Sequence, residues 1–148
     1  LVTDYLFLEP LLVDRIKTQV QGLKAVLTAA DLAAIAEQEQ VAPAAHVIYL
    51  GDEIGTGPGD QGTLGKNQMV TQLWAVVVAC YYADPADTGY GNRRAAGPLI
   101  ASILRSLSGW TPDGAVGVLM RGQPIKAHYA NGYGYYPFVF RANFFFKS

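Results

Sequence analysis

The segment that most constrains this chain is Asn67–Tyr82, which reads as one long β-strand. Gln68 and Gln72 alternate with Met69, Thr71 and Leu73, so this end is half exposed; from Trp74 to Tyr82 apolar residues occupy both faces. A strand apolar on both faces belongs in the middle of a sheet. The expectation is a central strand with one end in solvent. At about 3.3 Å per residue the segment extends roughly 50 Å, whereas a compact domain of this length has a diameter near 40 Å, from a radius of gyration of about 15 Å. The strand must therefore bend, bulge or project beyond its own domain. Projecting strand edges pair with other chains unless guarded, which points to assembly. The longest apolar run, Leu73–Ala83, has 11 residues, short of the ~20 that a membrane-spanning helix needs, and its Val-Val-Val centre favours a strand.

The remaining elements follow from periodicity. Leu8, Leu11, Leu12, Ile16, Val20 and Leu23 recur at helical spacing, with Asp14, Arg15, Lys17 and Gln21 opposite. Glu9-Pro10 suits the helix entry and Gly22 its stop. Lys24–Leu27 reads as a short strand, Thr28–Glu37 as a short helix, and Pro43–Leu50 as a strand. Gly51–Lys66 holds six glycines and one proline, and is expected to be a mobile loop or hairpin tip. A helix is predicted from Asn92 to Leu107, with Gly97-Pro98 kinking it or moving its start to Pro98. Gly117–Arg121 and Ala127–Tyr129 read as short strands. Gly134–Lys147 alternates, with Tyr136, Phe138, Phe140, Ala142, Phe144 and Phe146 on one face. The sum is one α/β or α+β domain over residues 1–148. Two main helices cover one face of a mostly antiparallel or mixed sheet of four to six strands.

Composition excludes several classes of function. With 51% hydrophobic and 16% charged residues the bulk of the chain is not disordered. Eleven basic against twelve acidic residues give a net charge of −1, with none of the basic footprint of a nucleic-acid binder and little to hold copies apart. A single cysteine rules out an internal disulfide and a Cys-rich zinc site. The first residues carry acid rather than base and no small-residue cleavage site, unlike a signal peptide.

Candidate chemistry is sparse. Gly57-Pro-Gly59-Asp-Gln-Gly62 matches G-x-G-x-x-G after a strand, and Gly65-Lys66 imitates the end of a phosphate-binding loop. No helix follows to receive a phosphate, Asp60 stands where the phosphate loop needs glycine, and Asn67 where it needs Ser or Thr. A hairpin tip is the simpler reading. His46 and His128, with Asp52 or Glu53, are candidates for a metal or acid–base group, but they lack zinc-ligand spacing, and His46 reads as a structural histidine in an apolar strand. Cys80 reads as a buried small hydrophobe, and Ser102, Ser106 and Ser108 lack a nucleophile elbow. Arg93-Arg94 opens a helix and reads as an interface or solvent feature. Phe144-Phe145-Phe146 points to alternate faces of its strand: either both sides are buried in one domain, or the outer aromatic face packs on a neighbouring subunit.

Several short segments, in order, resemble the Mu-like tail terminator (tail completion) family of tailed phages. They are Leu23-Lys-Ala-Val26, Pro43-Ala-Ala-His-Val47, Gln72-Leu-Trp-Ala-Val-Val-Val78, Ala96-Gly-Pro-Leu99, Gly109-Trp110 and Gly132-Tyr-Gly-Tyr-Tyr-Pro137. The resemblance spans essentially the whole chain. It implies a small α/β protein of the virion, assembled in the bacterial host cytoplasm as a homohexameric ring on the head-proximal end of the tail tube. Such a ring stops tube polymerisation and offers a docking surface to the head-to-tail connector, with DNA only passing through its lumen. It implies no catalysis and no cofactor; the partners are other copies, the tube protein and the connector, with no membrane. Alternatives are another tail or neck subunit, or a small-ligand-binding α/β domain. Asp52, Glu53 and Asp60 on the hairpin are expected near the lumen or tube face. Lys66, Arg93, Arg94, Arg141, Phe144, Phe145 and Phe146 complete the candidate interface residues.

Overall fold

Burial of one apolar stripe per helix against a shared sheet organises the chain. The computed structural model describes residues 2–37, 41–55, 67–82 and 89–147. Helix α1 (Leu8–Gln19) buries Leu8, Leu12 and Ile16, and the chain leaves it through extended Val20. It ends a turn earlier than Gly22, whose positive φ instead serves the turn that leads into β1 (Ala25–Thr28). After α2 (Leu32–Glu37) come the long strands β2 (Ala44–Ile54) and β3 (Asn67–Tyr81). Helix α3 (Tyr90–Leu107), short strands β4 (Met120–Arg121) and β5 (His128–Ala130), and β6 (Tyr133–Lys147) complete the chain.

The described strands form one six-stranded sheet in the order β1-β2-β3-β6-β4, with β5 also on β6. Only β1 and β2 are parallel, and α2 supplies the crossover such a pair requires. This is the expected mixed sheet in a small α+β domain, with β3 at its centre. Strand β2 runs further than its apolar pattern suggests: Gly51–Ile54, read from sequence as the start of a mobile loop or hairpin tip, continue the ladder after a bulge between Tyr49 and Gly51. The rest of that glycine-rich segment, with its G-x-G-x-x-G match, lies outside the described residues.

Helices α1 and α3 cover one face, where Leu12, Ile16, Ile103 and Leu107 meet Val76, Val78, Trp74 and Phe140. Arg15 ties the two helices together, donating from Nε to the Ser106 carbonyl (3.0 Å) with its guanidinium 5.0 Å from the Trp110 ring centre. Helix α3 does not start at Pro98; it runs through it. Gly97 and Pro98 are exposed, so the carbonyl deprived of its partner faces water. On the other face α2 covers only the half of the sheet holding Ile48, Ala75, Val77, Ala79 and Tyr135.

His46 lies in that second core, 2% exposed, with no hydrogen-bond partner for either ring nitrogen among the described residues. Burial lowers its pKa below the ordinary 6.5, so the folded chain holds it neutral. The unfolded chain takes up a proton as pH falls through 6.5 and the folded chain does not. Stability contributed by this residue is therefore complete above that pH and declines below it. Denaturant titrations at pH 7 and pH 5 are expected to show a smaller acid loss for His46→Leu than for wild type; equal losses contradict this assignment.

Candidate assembly surface

Strand register decides which of the sequence-selected residues meet. Glu53 of β2 lies opposite Thr71 of β3, which lies opposite Asn143 of β6. One step towards the sheet centre, Gly51, Leu73, Arg141 and Met120 form a row across β2, β3, β6 and β4. One step outward, Met69 is opposite Phe145. Because cross-strand partners share a face, Glu53, Met69, Thr71, Leu73, Met120, Arg141, Asn143 and Phe145 occupy one side of the sheet. This is the side that α2 leaves open. Thr71 donates its hydroxyl to Asn143 Oδ1 (2.6 Å), and Arg141 Nη2 reaches Glu53 Oε2 at 3.5 Å across the intervening strand. Met69 and Phe145 are 42% and 47% exposed.

The opposite side of the same strand ends is closed by the N-terminal segment. Tyr5 donates its hydroxyl to the Asp52 carboxylate. Its ring makes edge contacts with Phe144 and Phe146, centroids 5.8 and 5.3 Å apart. Burial first and Asp52 second raise the Tyr5 pKa well above its ordinary value. Gln72 is 0% exposed on this side: its Nε2 donates to the Tyr5 carbonyl (2.7 Å) and its Oε1 accepts from Trp74 Nε1 (3.0 Å). The alternation expected at this end of β3 is present, but the glutamine is buried and Met69 exposed. A polar side chain with all its partners supplied is stable in a core.

The structure thus brings together Asp52, Glu53, Arg141, Phe144, Phe145 and Phe146. Phe144 belongs to the chain's own core, Phe146 packs on Tyr5, and Phe145 alone of the three faces outward. Asp60 and Lys66 lie outside the described residues. Arg93 and Arg94 sit elsewhere, on the first turn of α3 beside Tyr90, with Arg94 5.8 Å from the Tyr90 ring centre. That helix end is anchored on Cys80, eight residues along β3 from Gln72, or roughly 27 Å. Sequence reasoning missed Tyr5: nothing in the local pattern marks it as the partner of a residue 47 positions away.

The remaining chemical candidates are dispersed. His46 on β2 and His128 on β5 are separated by β3 and β6, about 14 Å of sheet. His128 stacks on Tyr135 at 6.0 Å. Cys80 is buried and its thiol is pushed up to about 11 by that burial, so it stays protonated. Among the described residues no three His, Cys, Asp or Glu side chains cluster to hold a metal ion, and no helix is long and apolar enough to cross a membrane.

Glu53 and Arg141 are both well exposed, and pairs of that kind contribute about 0–1 kcal/mol. Glu53→Gln is therefore expected to change the unfolding free energy by less than about 0.5 kcal/mol; a loss above ~2 kcal/mol in denaturant titration contradicts this.

A model of the phage tail terminator protein family matches residues 2–148. Comparison with curated proteins gives no match.

Proposed function

We propose that this chain, which belongs to the phage tail terminator protein family, closes into a homohexameric ring on the head-proximal end of the tail tube. Membership makes it a structural protein of the phage tail, built into the virion and in contact with other tail components. In the proposed role the ring ends tube growth and offers its other face to the head-to-tail connector, while DNA passes through the lumen. It works by shape and contact, with no reaction catalysed and no cofactor.

The observation that carries the reading is the half-covered sheet. At the end bearing Glu53, Met69, Arg141 and Phe145, one side is sealed by the N-terminal segment and the other is open. Exposed apolar side chains around an ion pair suit a surface that is covered on assembly. A cyclic ring joins two different patches of each copy head to tail and stops when the rotation closes. The cap must also refuse further tube subunits, so its two faces must differ.

Native mass spectrometry over a wide concentration range tests the ring. Six copies of a 15.9 kDa chain give a species of about 95 kDa that grows no further. An open-ended series of larger species contradicts it and favours a tube subunit. A single copy at every concentration contradicts a ring that closes without the tube.

A further inference from the structure

We propose that copies join head to tail through two unlike patches at opposite ends of β3: the tyrosine and arginine surface at the start of α3 in one copy covers the open sheet face around Glu53, Met69 and Phe145 in the next. This rests on the self-assembly proposed above and names the surfaces that carry it.

The tyrosine surface is built by the backbone beneath it. Tyr82, Tyr90 and Tyr129 are exposed, Tyr90 at 59%. A side chain on Gly91 would run into the Tyr82 ring, and one on Gly89, whose φ is +73°, would stand 3.3 Å from Tyr129 Cε1. These two rings thus lie against bare backbone where the chain enters α3. Tyr129 also makes an edge contact with buried Tyr136, centroids 5.7 Å apart. Tyr90 stands on the first turn of α3 with the Arg94 guanidinium 5.8 Å from its ring centre. Rings already held in place lose little freedom on binding. Tyrosine beside arginine is the composition that carries most binding energy at protein interfaces.

Direction decides which surfaces can meet. The joint of a ring is heterologous, so each copy must present two different patches. Neighbours in a six-fold ring differ by only a sixth of a turn, so within one copy the two patches must look away from one another. Tyr129 lies opposite Gly134, on the same side of the sheet as Tyr136, which is the side that α1 and α3 cover. Met69, Met120 and Phe145 lie on the other side. The patches are also far apart along the strand: Met69 and Tyr81 are separated by roughly 40 Å of β3. They are opposed both across the sheet and along it, as a head-to-tail joint requires.

Charge and side-chain chemistry agree with this pairing. Exposed Asp52 and Glu53 stand at the first patch, exposed Arg93 and Arg94 at the second. Glu53 meets Arg141 through one oxygen at 3.5 Å; a carboxylate accepts from several donors, so it can take Arg94 of the neighbour as well. Met69 and Phe145 supply the apolar part of the contact, and a thioether is a favourable partner for a tyrosine ring.

The test reverses charge at two exposed positions, Glu53→Arg and Arg94→Glu, with far-UV circular dichroism to check that both variants fold. Each alone is expected to weaken the joint roughly 100-fold. Native mass spectrometry then shows single copies of 15.9 kDa at concentrations where the wild type forms its ring. Both reversals in one chain set opposite charges across the joint again and are expected to return a ring. Hydroxyl-radical footprinting needs no variant: Met69, Phe145, Tyr82 and Tyr90 are expected to react several-fold more slowly in the wild-type ring than in single copies obtained by dilution. Folded single reversals that still form rings, a double reversal that fails to restore them, or tyrosines that stay reactive in the ring overturn the joint while leaving the ring standing. Tyrosines protected only once a tail tube or connector is supplied overturn it too, and give that surface to the other protein. A wild-type chain that stays single removes the self-assembly reading itself, and the joint with it.

Discussion

Replacing Trp74 with alanine is expected to cost roughly 4 kcal/mol of unfolding free energy, the largest effect of any single substitution considered for this chain. Trp74 is among the largest fully buried side chains, at the centre of the face covered by α1 and α3. Its removal leaves a cavity that the surrounding strands cannot collapse, because β3 is held on both sides by long ladders. It also removes the donor to Gln72 Oε1, the side chain that anchors the Tyr5 carbonyl. Trp74→Phe separates the two contributions, since it keeps most of the ring volume and loses the bond; about 1–2 kcal/mol is expected. Denaturant titrations followed by far-UV circular dichroism at one fixed protein concentration measure both, the fixed concentration being needed because assembly adds to apparent stability. A cost below about 1 kcal/mol for the alanine variant contradicts the packing described.

Asn92→Leu is expected to cost roughly 3 kcal/mol, or about 9 °C in Tm for a chain of this length. The Asn92 carboxamide is buried at the start of α3. It donates to the Cys80 carbonyl (2.9 Å) and the Gly132 carbonyl (3.1 Å) and accepts the Tyr136 hydroxyl (2.6 Å). Leucine is of similar size but takes this partner from the Cys80 carbonyl and the buried Tyr136 hydroxyl, while the part-buried Gly132 carbonyl keeps the Tyr82 N–H. The site has no slack: a Cβ on Gly134 would stand 2.1 Å from Asn92 Oδ1. Burial already raises the Tyr136 pKa well above its ordinary value, so the hydroxyl stays a donor at any working pH. Tyr136→Phe removes one bond of the three and is expected to cost about 1 kcal/mol. Equal costs for the two variants contradict the arrangement.

These two sites show where periodicity suffices and where it does not. The alternation of Tyr136, Phe138, Phe140, Ala142, Phe144 and Phe146 predicts the helix-facing side of β6, and the apolar run from Trp74 predicts a central strand; both hold, because the first depends on the burial of one face and the second on the burial of both. Gln72 and Asn92 are buried against their polarity, since their partners come from Tyr5, Trp74, Cys80, Gly132 and Tyr136, which no local window contains. Strand β2 outran its apolar pattern because Gly51–Ile54 are held by ladder bonds to β3 rather than by side-chain burial. Pro98 stayed inside α3 because its exposed position lets water replace the missing bond.

The same division applies to the candidate surface. A strand of this length must bend, bulge or project, and Glu53, Arg141 and Phe145 gather at its end. Grouping Arg93 and Arg94 with them rested on charge alone, and charge carries no register; the structure sets them at the other end of β3.

Electron microscopy of tails assembled in host cells, with this chain deleted and then restored, tests the terminator role. Tubes of uncontrolled length lacking heads are expected without the chain, and tails of one length joined to heads when wild type is supplied. Tails of normal length, joined to heads in the absence of this chain, would contradict it.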